Sequence, residues 1–215
     1  MVVAEVIRNR RSIRHYIDKD VEIEKIYKII EAGQWAPTAT NKQEARFIYI
    51  NDKEKIQSLC KNGTAQFVRA CNQMILVLYD NRIDNIEYHD DILSGAAVIQ
   101  NMLLQAEELG VSTCWVANLP AKSILRKLFS IPAYYDPISL ITLGYAIQQP
   151  KDVERKHSLE NIIFRNEFDQ SRDIKPEKNT LRLFIRKALR MIYIKVPKNQ
   201  WTLSMVSKYE KKFFN

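Results

Sequence analysis

Glycine is scarce in this chain and widely spaced, which limits the folds that it can adopt. The 215 residues contain five glycines, and the nearest two, Gly95 and Gly110, stand fifteen positions apart. A dinucleotide-binding turn and a phosphate-binding P-loop each need glycines clustered within one short turn. The sequence therefore excludes both a Rossmann-type and a P-loop nucleotide fold.

Helical and strand patterns alternate along the first part of the chain. The segment from about Tyr88 to Leu109 lacks proline, ends at Gly110 and carries apolar residues around most of its circumference. Such a helix must pack on more than one side, so we expect it at the centre of an α+β or α/β core built on one sheet. Asp20 is the expected cap of the second helix. The other predicted helices cover residues 3–9, 21–33, 53–60 and 120–129, and the predicted strands cover 45–51, 73–80, 111–118 and 138–145.

Charge divides the chain into two parts at Phe164. Residues 1–164 hold 20 basic and 20 acidic side chains, whereas residues 165–215 hold 13 and 5. The whole net charge of +8 therefore belongs to the last segment, and nothing in the neutral part favours a nucleic-acid partner. We predict a globular core at 1–164 and a basic C-terminal extension at 165–215.

Cysteine and histidine usage bounds the chemistry and the setting of the protein. The three histidines and three cysteines are scattered, with no paired spacing that would build a zinc site, so no metal is expected. An odd cysteine count without an apolar N-terminal signal points to a reducing environment, and no apolar run is long enough to span a membrane. The expected location is the cytoplasm.

Three arginines and a serine lie close together directly after the first predicted helix. They are Arg10, Arg11, Ser12 and Arg14. Guanidinium forks are good ligands for a phosphate group, and a serine hydroxyl adds a neutral donor. Taken alone, the segment leaves two interpretations open, a phosphate-binding site and a solvated turn with surface ion pairs.

Two further segments carry candidate binding residues. Residues 36–43 place small hydroxylated side chains and amides between a helix and a strand, which suits the rim of a planar heteroaromatic ligand. Residues 112–118 follow the long helix, at a place where backbone amides can face a pocket. Within that strand Trp115 is typical of a core residue as well as of a pocket wall, and Cys114 is interpreted as packing rather than as a reactive thiol.

The ordered set of these segments resembles the FMN-dependent nitroreductase family. It comprises RRSIRHY at 10–16, APTATNKQEARFIYI at 36–50, GAAVIQNMLLQAEELGVSTCWVAN at 95–118 and PISLITLGYAIQQPKDVERKHSLENII at 137–163. The resemblance implies an α+β, three-layer fold with a central, mostly antiparallel sheet flanked by helices. It also implies a domain-swapped homodimer that holds two FMN molecules at the subunit interface, each touched by both chains.

The resemblance also assigns roles to individual residues. It implies that Arg10, Arg11 and Ser12 hold the FMN phosphate and ribityl chain, joined by Arg155 from the ERKHSLE segment. It places Arg14 at the pyrimidine edge of the isoalloxazine, where a fixed positive charge stabilises the reduced flavin and raises its potential.

Other flavin contacts are implied around the ring. Gln66 is a candidate for the pyrimidine edge, and Ala117 stands where such proteins often have glycine. Val116 and Ala117 would offer backbone N–H groups toward N5, beside Trp115. The residues implied to approach from the partner subunit are Pro37, Thr38, Thr40 and Asn41.

The function implied is that of an FMN-dependent oxidoreductase. Hydride would pass from NADH or NADPH through the flavin to a small organic acceptor of nitroaromatic, quinone or enone type. No side chain stands out as a nucleophile or general base, and flavin chemistry does not need one. The alternative function is a non-catalytic flavin-binding or membrane-associated adaptor.

The basic extension has its own pattern. Thr180 can cap an amphipathic helix, LRLFIRKALRMIYIKV, that follows a polar arm and ends before Pro197. One interpretation is a helix held against anionic lipid, which would place the protein peripherally at the inner membrane surface. The other is a helix docked on the protein's own dimer.

Overall fold

The protein is built on an antiparallel sheet. The computed structural model describes residues 2–83, 85–148 and 153–171 together with residues 184, 185 and 188. In this part of the chain the strands are β1 (Ala45–Ile50), β2 (Gln73–Asp80), β3 (Ser112–Val116) and β4 (Tyr135–Gly144). Their order is β1-β2-β4-β3, and each neighbouring pair is antiparallel. The α+β class and the antiparallel sheet are therefore as predicted.

Helices cover both faces of this sheet and give three layers. Within residues 2–148 the α-helices are α1 (Val3–Asn9), α2 (Ile23–Gln34), α3 (Lys53–Lys61), α4 (Asp90–Glu108) and α5 (Lys122–Phe129). One apolar cluster joins the sheet to α2 and α4, and we call this side the α2–α4 layer. A second cluster joins the other face to α3 and α5, which we call the α3–α5 layer. Strand β2 is buried along its whole length because both layers pack on it.

Helix α4 occupies the central place that its sequence predicts. It contacts α1, α2 and the strands β2, β3 and β4. Its packing against α2 is close, because a Cβ added at Gly33 would meet Met102 Cγ at 2.9 Å. An apolar surface around most of the helix is thus used on several sides at once.

Several predicted boundaries differ from the observed ones. Strand β4 begins at Tyr135, which pairs with Asp80 of β2, rather than at residue 138. Asp20 does not cap α2, because its carboxylate accepts a hydrogen bond from Asn72 Nδ2 (3.1 Å) and Glu22 stands at the N-cap. Helix α5 starts at Lys122 rather than near residue 120, because Ala121 is still extended. Strand β3 ends at Val116 rather than at 118, and beyond it the Asn118 carbonyl accepts from Ala65 N (3.3 Å) instead of pairing in the sheet.

The arginine-rich segment after α1 runs along the edge of the sheet. Ser12 pairs with Thr113 of β3 in a parallel bridge, and Ile13 N donates to the Thr113 carbonyl at 2.9 Å. Further on, Tyr16 pairs with Ala146, directly after β4. The segment is therefore tied to backbone at both of its ends, which gives its side chains defined positions.

Tyr16 anchors this segment in the core. Its hydroxyl donates to the Ile13 carbonyl (2.6 Å) and shares a hydrogen bond with Thr142 (2.8 Å). Burial raises the pKa of Tyr16 well above its usual value, so the phenol is neutral. The ring lies against Gly144, where an added Cβ would meet Tyr16 Cδ1 at 2.6 Å. Gly144 is thus required for the position of the ring.

Gly144→Ala is expected to destabilise the protein by about 1–3 kcal/mol, because the new methyl group overlaps the Tyr16 ring. Urea unfolding of the two proteins measures the difference. In a Tyr16→Ala background the same substitution should cost less than about 0.5 kcal/mol, since the clash is gone. An equal cost in both backgrounds would show that the ring is not the obstacle.

The chain divides into two compact units, Met1–Gln149 with Lys198–Asn215, and Pro150–Pro197. The described part of the second unit contains α6 (Leu159–Ile162) and a contact between the rings of Phe164 and Phe168, 4.4 Å between centroids. The core boundary at residue 164 stays a prediction. The predicted amphipathic helix lies outside the described residues, apart from residues 184, 185 and 188. Across the described ranges, no helix is long and apolar enough to cross a membrane.

Candidate functional site

Arg10 stands where α1 ends and the chain turns toward the sheet edge. Its backbone N–H donates to the Val6 carbonyl (3.0 Å), which closes the last turn of the helix. Two residues later the exposed Ser12 is already paired with β3. The side chains of Arg10 and Ser12 are therefore presented together, one at the end of a helix and the other on the edge strand.

Arg11 is engaged differently from its neighbours. Its Nη1 donates to the carbonyl of Arg8 and to that of Arg10, the latter at 3.0 Å. Carbonyls at a helix C-terminus lack intrahelical partners, and a guanidinium there satisfies them and complements the helix dipole. This geometry makes Arg11 a stabiliser of the turn at the end of α1, and its part in phosphate binding stays a prediction.

Arg14 lies on the face of the sheet that carries the α3–α5 layer. Its guanidinium carbon is 5.9 Å from the centroid of the Phe67 ring, and Nη1 donates to the Ser12 carbonyl at 3.5 Å. Phe67 belongs to a short 3-10 helix, Gln66–Ala70, whose start is held by the bond from Ala65 N to the Asn118 carbonyl. The predicted candidate Gln66 is thus next to the ring that supports Arg14.

Cys114 lies within range of three of the candidate flavin ligands. Burial raises the pKa of its thiol, while the charge of Arg14, a hydrogen bond with Ser12 and the charge of Arg10 lower this pKa. Both guanidinium charges and the Ser12 side chain therefore act on one position of β3, next to the Ser12–Thr113 bridge. The thiol itself is 2% exposed and stays protonated at neutral pH, which supports its interpretation as packing.

The end of β3 offers one exposed side chain beside this cluster. Trp115 is 37% exposed and is opposite Ile141, which belongs to the α2–α4 layer. Val116 is buried, and its carbonyl accepts a hydrogen bond from Ser139 Oγ at 2.8 Å. Ala117 is exposed and its backbone is outside the left-handed region, so this position does not need glycine for its conformation.

The loop after α2 is hydrogen-bonded to the start of α4. Ala39 N donates to Ser94 Oγ (3.1 Å), and Gln43 N donates to Thr38 Oγ1 (3.1 Å). Thr40, Asn41 and Gln43 have positive φ angles of 50°, 57° and 53°. Residues other than glycine adopt this left-handed backbone region when the surrounding structure holds them there, and such strain is concentrated at functional sites.

One chain does not bring this loop to the arginines. The loop is bonded to Ser94, near the beginning of α4, whereas Glu107, near its end, is close enough to Arg10 and Arg11 for both charges to lower its pKa. Thirteen residues separate Ser94 from Glu107, which is about 20 Å along a helix. The contacts from a partner subunit stay predictions for Pro37, Thr38, Thr40 and Asn41.

The remaining predicted contact belongs to the second unit. Arg155 is exposed in the segment before α6, and its part in phosphate binding stays a prediction. Sequence reasoning did not find Phe67, which supports Arg14, because nothing local relates residues 14 and 67. It also passed over Glu107, whose position beside the arginines depends on the packing of α1 on α4. Within the described ranges, no group of three or more His, Cys, Asp or Glu is placed to hold a metal ion.

The fold and the arginines at the edge of the sheet can be compared with those of known protein families. Residues 7–145 match the model of the Nitroreductase family. The protein belongs to the nitroreductase family, as its sequence predicts.

Particular relatives extend this result over most of the chain. A protein of Archaeoglobus fulgidus, provisionally named NADH dehydrogenase/NAD(P)H nitroreductase, is 32% identical over 69% of this chain and 85% of its own. A nitroreductase family protein from Clostridium difficile 630 is 31% identical with a TM-score of 0.69 and covers 78% of this chain and 100% of its own. A provisionally named nitroreductase of Desulfovibrio desulfuricans, solved in complex with FMN, is 30% identical with a TM-score of 0.65 and covers 79% and 99%.

Proposed function

We propose that this protein is an FMN-dependent oxidoreductase that carries hydride from NADH or NADPH to a small organic acceptor of nitroaromatic, quinone or enone type. The observation that supports this most strongly is the arginine segment at the edge of the sheet, where Ser12 pairs with β3 and the charges of Arg10 and Arg14 both act on that strand, in a member of the nitroreductase family. A relative with 30% identity was solved with FMN bound, which supports the choice of cofactor.

The residues present suit the parts of FMN. Arg10 and the exposed Ser12 hydroxyl supply charged and neutral donors to the phosphate, and Arg155 is the proposed addition from the second unit. Arg11 stabilises the turn that presents Arg10. Arg14, supported by the Phe67 ring, supplies a fixed positive charge at the pyrimidine edge, with Gln66 beside it. Backbone N–H groups at Val116 and Ala117 are proposed to face N5, with Trp115 at the ring.

The protein's own contribution is binding, orientation and electrostatics. FMN supplies the hydride-transfer chemistry when it is bound. The one thiol at the cluster, Cys114, is buried with a raised pKa and is not available as a nucleophile. We therefore assign no catalytic side chain, and Arg14 acts by raising the reduction potential of the flavin.

The separation of the two binding segments supports a homodimer. Because the loop at Pro37–Asn41 and the arginines lie toward opposite ends of α4, a second copy would have to bring its loop to the first copy's arginines. We infer that each flavin is touched by two subunits. Peripheral membrane contact through the basic extension, and the alternative of an adaptor function, stay predictions.

A simple experiment separates a reductase from an adaptor. The purified yellow protein is mixed anaerobically with NADH or NADPH, and absorbance near the flavin maximum is followed. A reductase should bleach within seconds, because the nicotinamide reduces the bound flavin directly. Chemical reduction with dithionite is the control, since it shows that the bound flavin can be reduced. Bleaching by dithionite and not by either nicotinamide would favour the adaptor.

A further inference from the structure

Glu107 is a carboxylate near the end of α1, where Arg10 is proposed to bind the phosphate. It lies on the last turn of α4 and is half-buried. Burial raises its pKa, while Arg10 and Arg11 lower it. The two guanidinium groups are therefore within electrostatic range of an anion that belongs to the protein.

Two packing features bring Glu107 to this position. Helix α1, which ends at Arg10, contacts α4. After α4 the chain turns tightly, with Val111 N donating to the Ala106 carbonyl (2.8 Å) and Gly110 at a φ of +70°. Directly beyond this turn Thr113 pairs with Ser12. The end of α4 and the arginine segment are thus held together by backbone contacts on both sides of the turn.

We propose that the Glu107 carboxylate is an internal competitor of the flavin phosphate and lowers the affinity of the protein for FMN. This inference rests on the proposed binding of the phosphate by Arg10. A phosphate bound by Arg10 and a carboxylate at the end of α4 carry like charges and repel each other. Arg10 and Glu107 are both partly withdrawn from solvent, so screening is incomplete. Arg11 donates to the carbonyls of Arg8 and Arg10.

Glu107→Gln removes the charge and keeps the shape of the side chain. We expect FMN to bind roughly three- to tenfold more tightly, because one repulsive interaction at medium range is lost. Riboflavin has the same ring system without the phosphate, and its affinity should stay within about twofold of the wild-type value. Both dissociation constants are measured from flavin fluorescence on dilution of the flavin-loaded protein.

Glu108→Gln is the matched control. Glu108 is the next residue, is exposed, and accepts a hydrogen bond from Gln105 Nε2 (3.0 Å), so the variant makes the same change in net charge without altering the arginine cluster. We expect less than about a twofold change in FMN affinity. Equal effects of the two variants, or weaker FMN binding by Glu107→Gln, would overturn the proposal.

Arg10→Ala distinguishes a failure of this inference from a failure of the proposed site. If Arg10→Ala weakens FMN more than riboflavin while Glu107→Gln changes neither, the phosphate site stands and the competition does not. If Arg10→Ala weakens both flavins equally, Arg10 does not contact the phosphate, and the competition proposed for Glu107 falls with it.

Discussion

Replacing Arg10 with alanine is expected to weaken FMN binding by roughly tenfold to a hundredfold, which is the range for loss of a charge-assisted bond to phosphate. The affinity for riboflavin should change by less than about threefold, because riboflavin has no phosphate to lose. Arg10 stands at the end of α1, two residues before Ser12, which pairs with β3. Its removal should therefore weaken the contact with the phosphate and leave the contacts with the ring system unchanged. Fluorescence titration of both flavins measures the two constants.

Arg8→Ala is the control for this prediction. Arg8 is exposed on the last turn of α1 and carries the same charge, while the carbonyl that receives Arg11 belongs to the backbone and is kept. Loss of this charge alone should cost no more than about threefold in FMN affinity. If the two variants were equally impaired, Arg10 would act through the general field of the helix end and not through contact.

Three arginines that look equivalent in the sequence have different surroundings in the structure. Arg11 is bonded to carbonyls at the end of α1, whereas Arg14 lies over the ring of Phe67. Arg10 stands at the C-cap of α1, and its charge lowers the pKa of Glu107. The segment passes around the edge of the sheet, so its side chains reach both layers. The spacing of the arginines along the chain does not show these differences, because the surroundings of each arginine depend on the helix, strand or loop that its side chain contacts.

Much of the fold could be predicted because the local patterns agree with the final packing. Strand β2 is a continuous apolar run, and it is buried on both faces as such a run requires. Helix α4 is apolar around most of its surface, and it contacts helices and sheet on several sides. Where a local signal met a tertiary partner, the partner determined the outcome: Asp20 bonds Asn72 and leaves the start of α2 uncapped.

The site was less accessible to sequence reasoning, because it depends on pairs that are far apart in the chain. Ser12 meets Thr113, and Arg14 meets Phe67, and neither pair has a local signal. The family resemblance supplied candidate residues, of which Ser12 pairs with β3 while the charges of Arg10 and Arg14 act on that strand. The other candidate contacts stay proposals, because they come from a partner subunit or from the second unit. They are those of Pro37, Thr38, Thr40, Asn41 and Arg155.

Replacing Arg14 with alanine is expected to lower the reduction potential of bound FMN by about 30 mV or more, since 1.4 kcal/mol corresponds to about 30 mV for a two-electron couple. The reduced flavin carries negative charge near N1 and O2, and the proposed position of Arg14 stabilises that form more than the oxidised one. Affinity for oxidised FMN should fall by less than about threefold, because the phosphate is held elsewhere. Equilibration with a reference dye gives the potential.

Arg14→Lys separates charge from position. Lysine keeps the positive charge but lacks the planar group that lies over Phe67. The reduction potential of Arg14→Lys should therefore be closer to the wild-type value than that of Arg14→Ala, although the lysine side chain is held less firmly by the ring. Phe67→Leu tests the support from below: with Arg14 retained but no ring beneath it, the potential should fall part of the way toward that of Arg14→Ala. If instead Arg14→Ala left the potential unchanged and reduced FMN affinity as much as Arg10→Ala, Arg14 would be a second phosphate ligand, and the pyrimidine edge would need another partner.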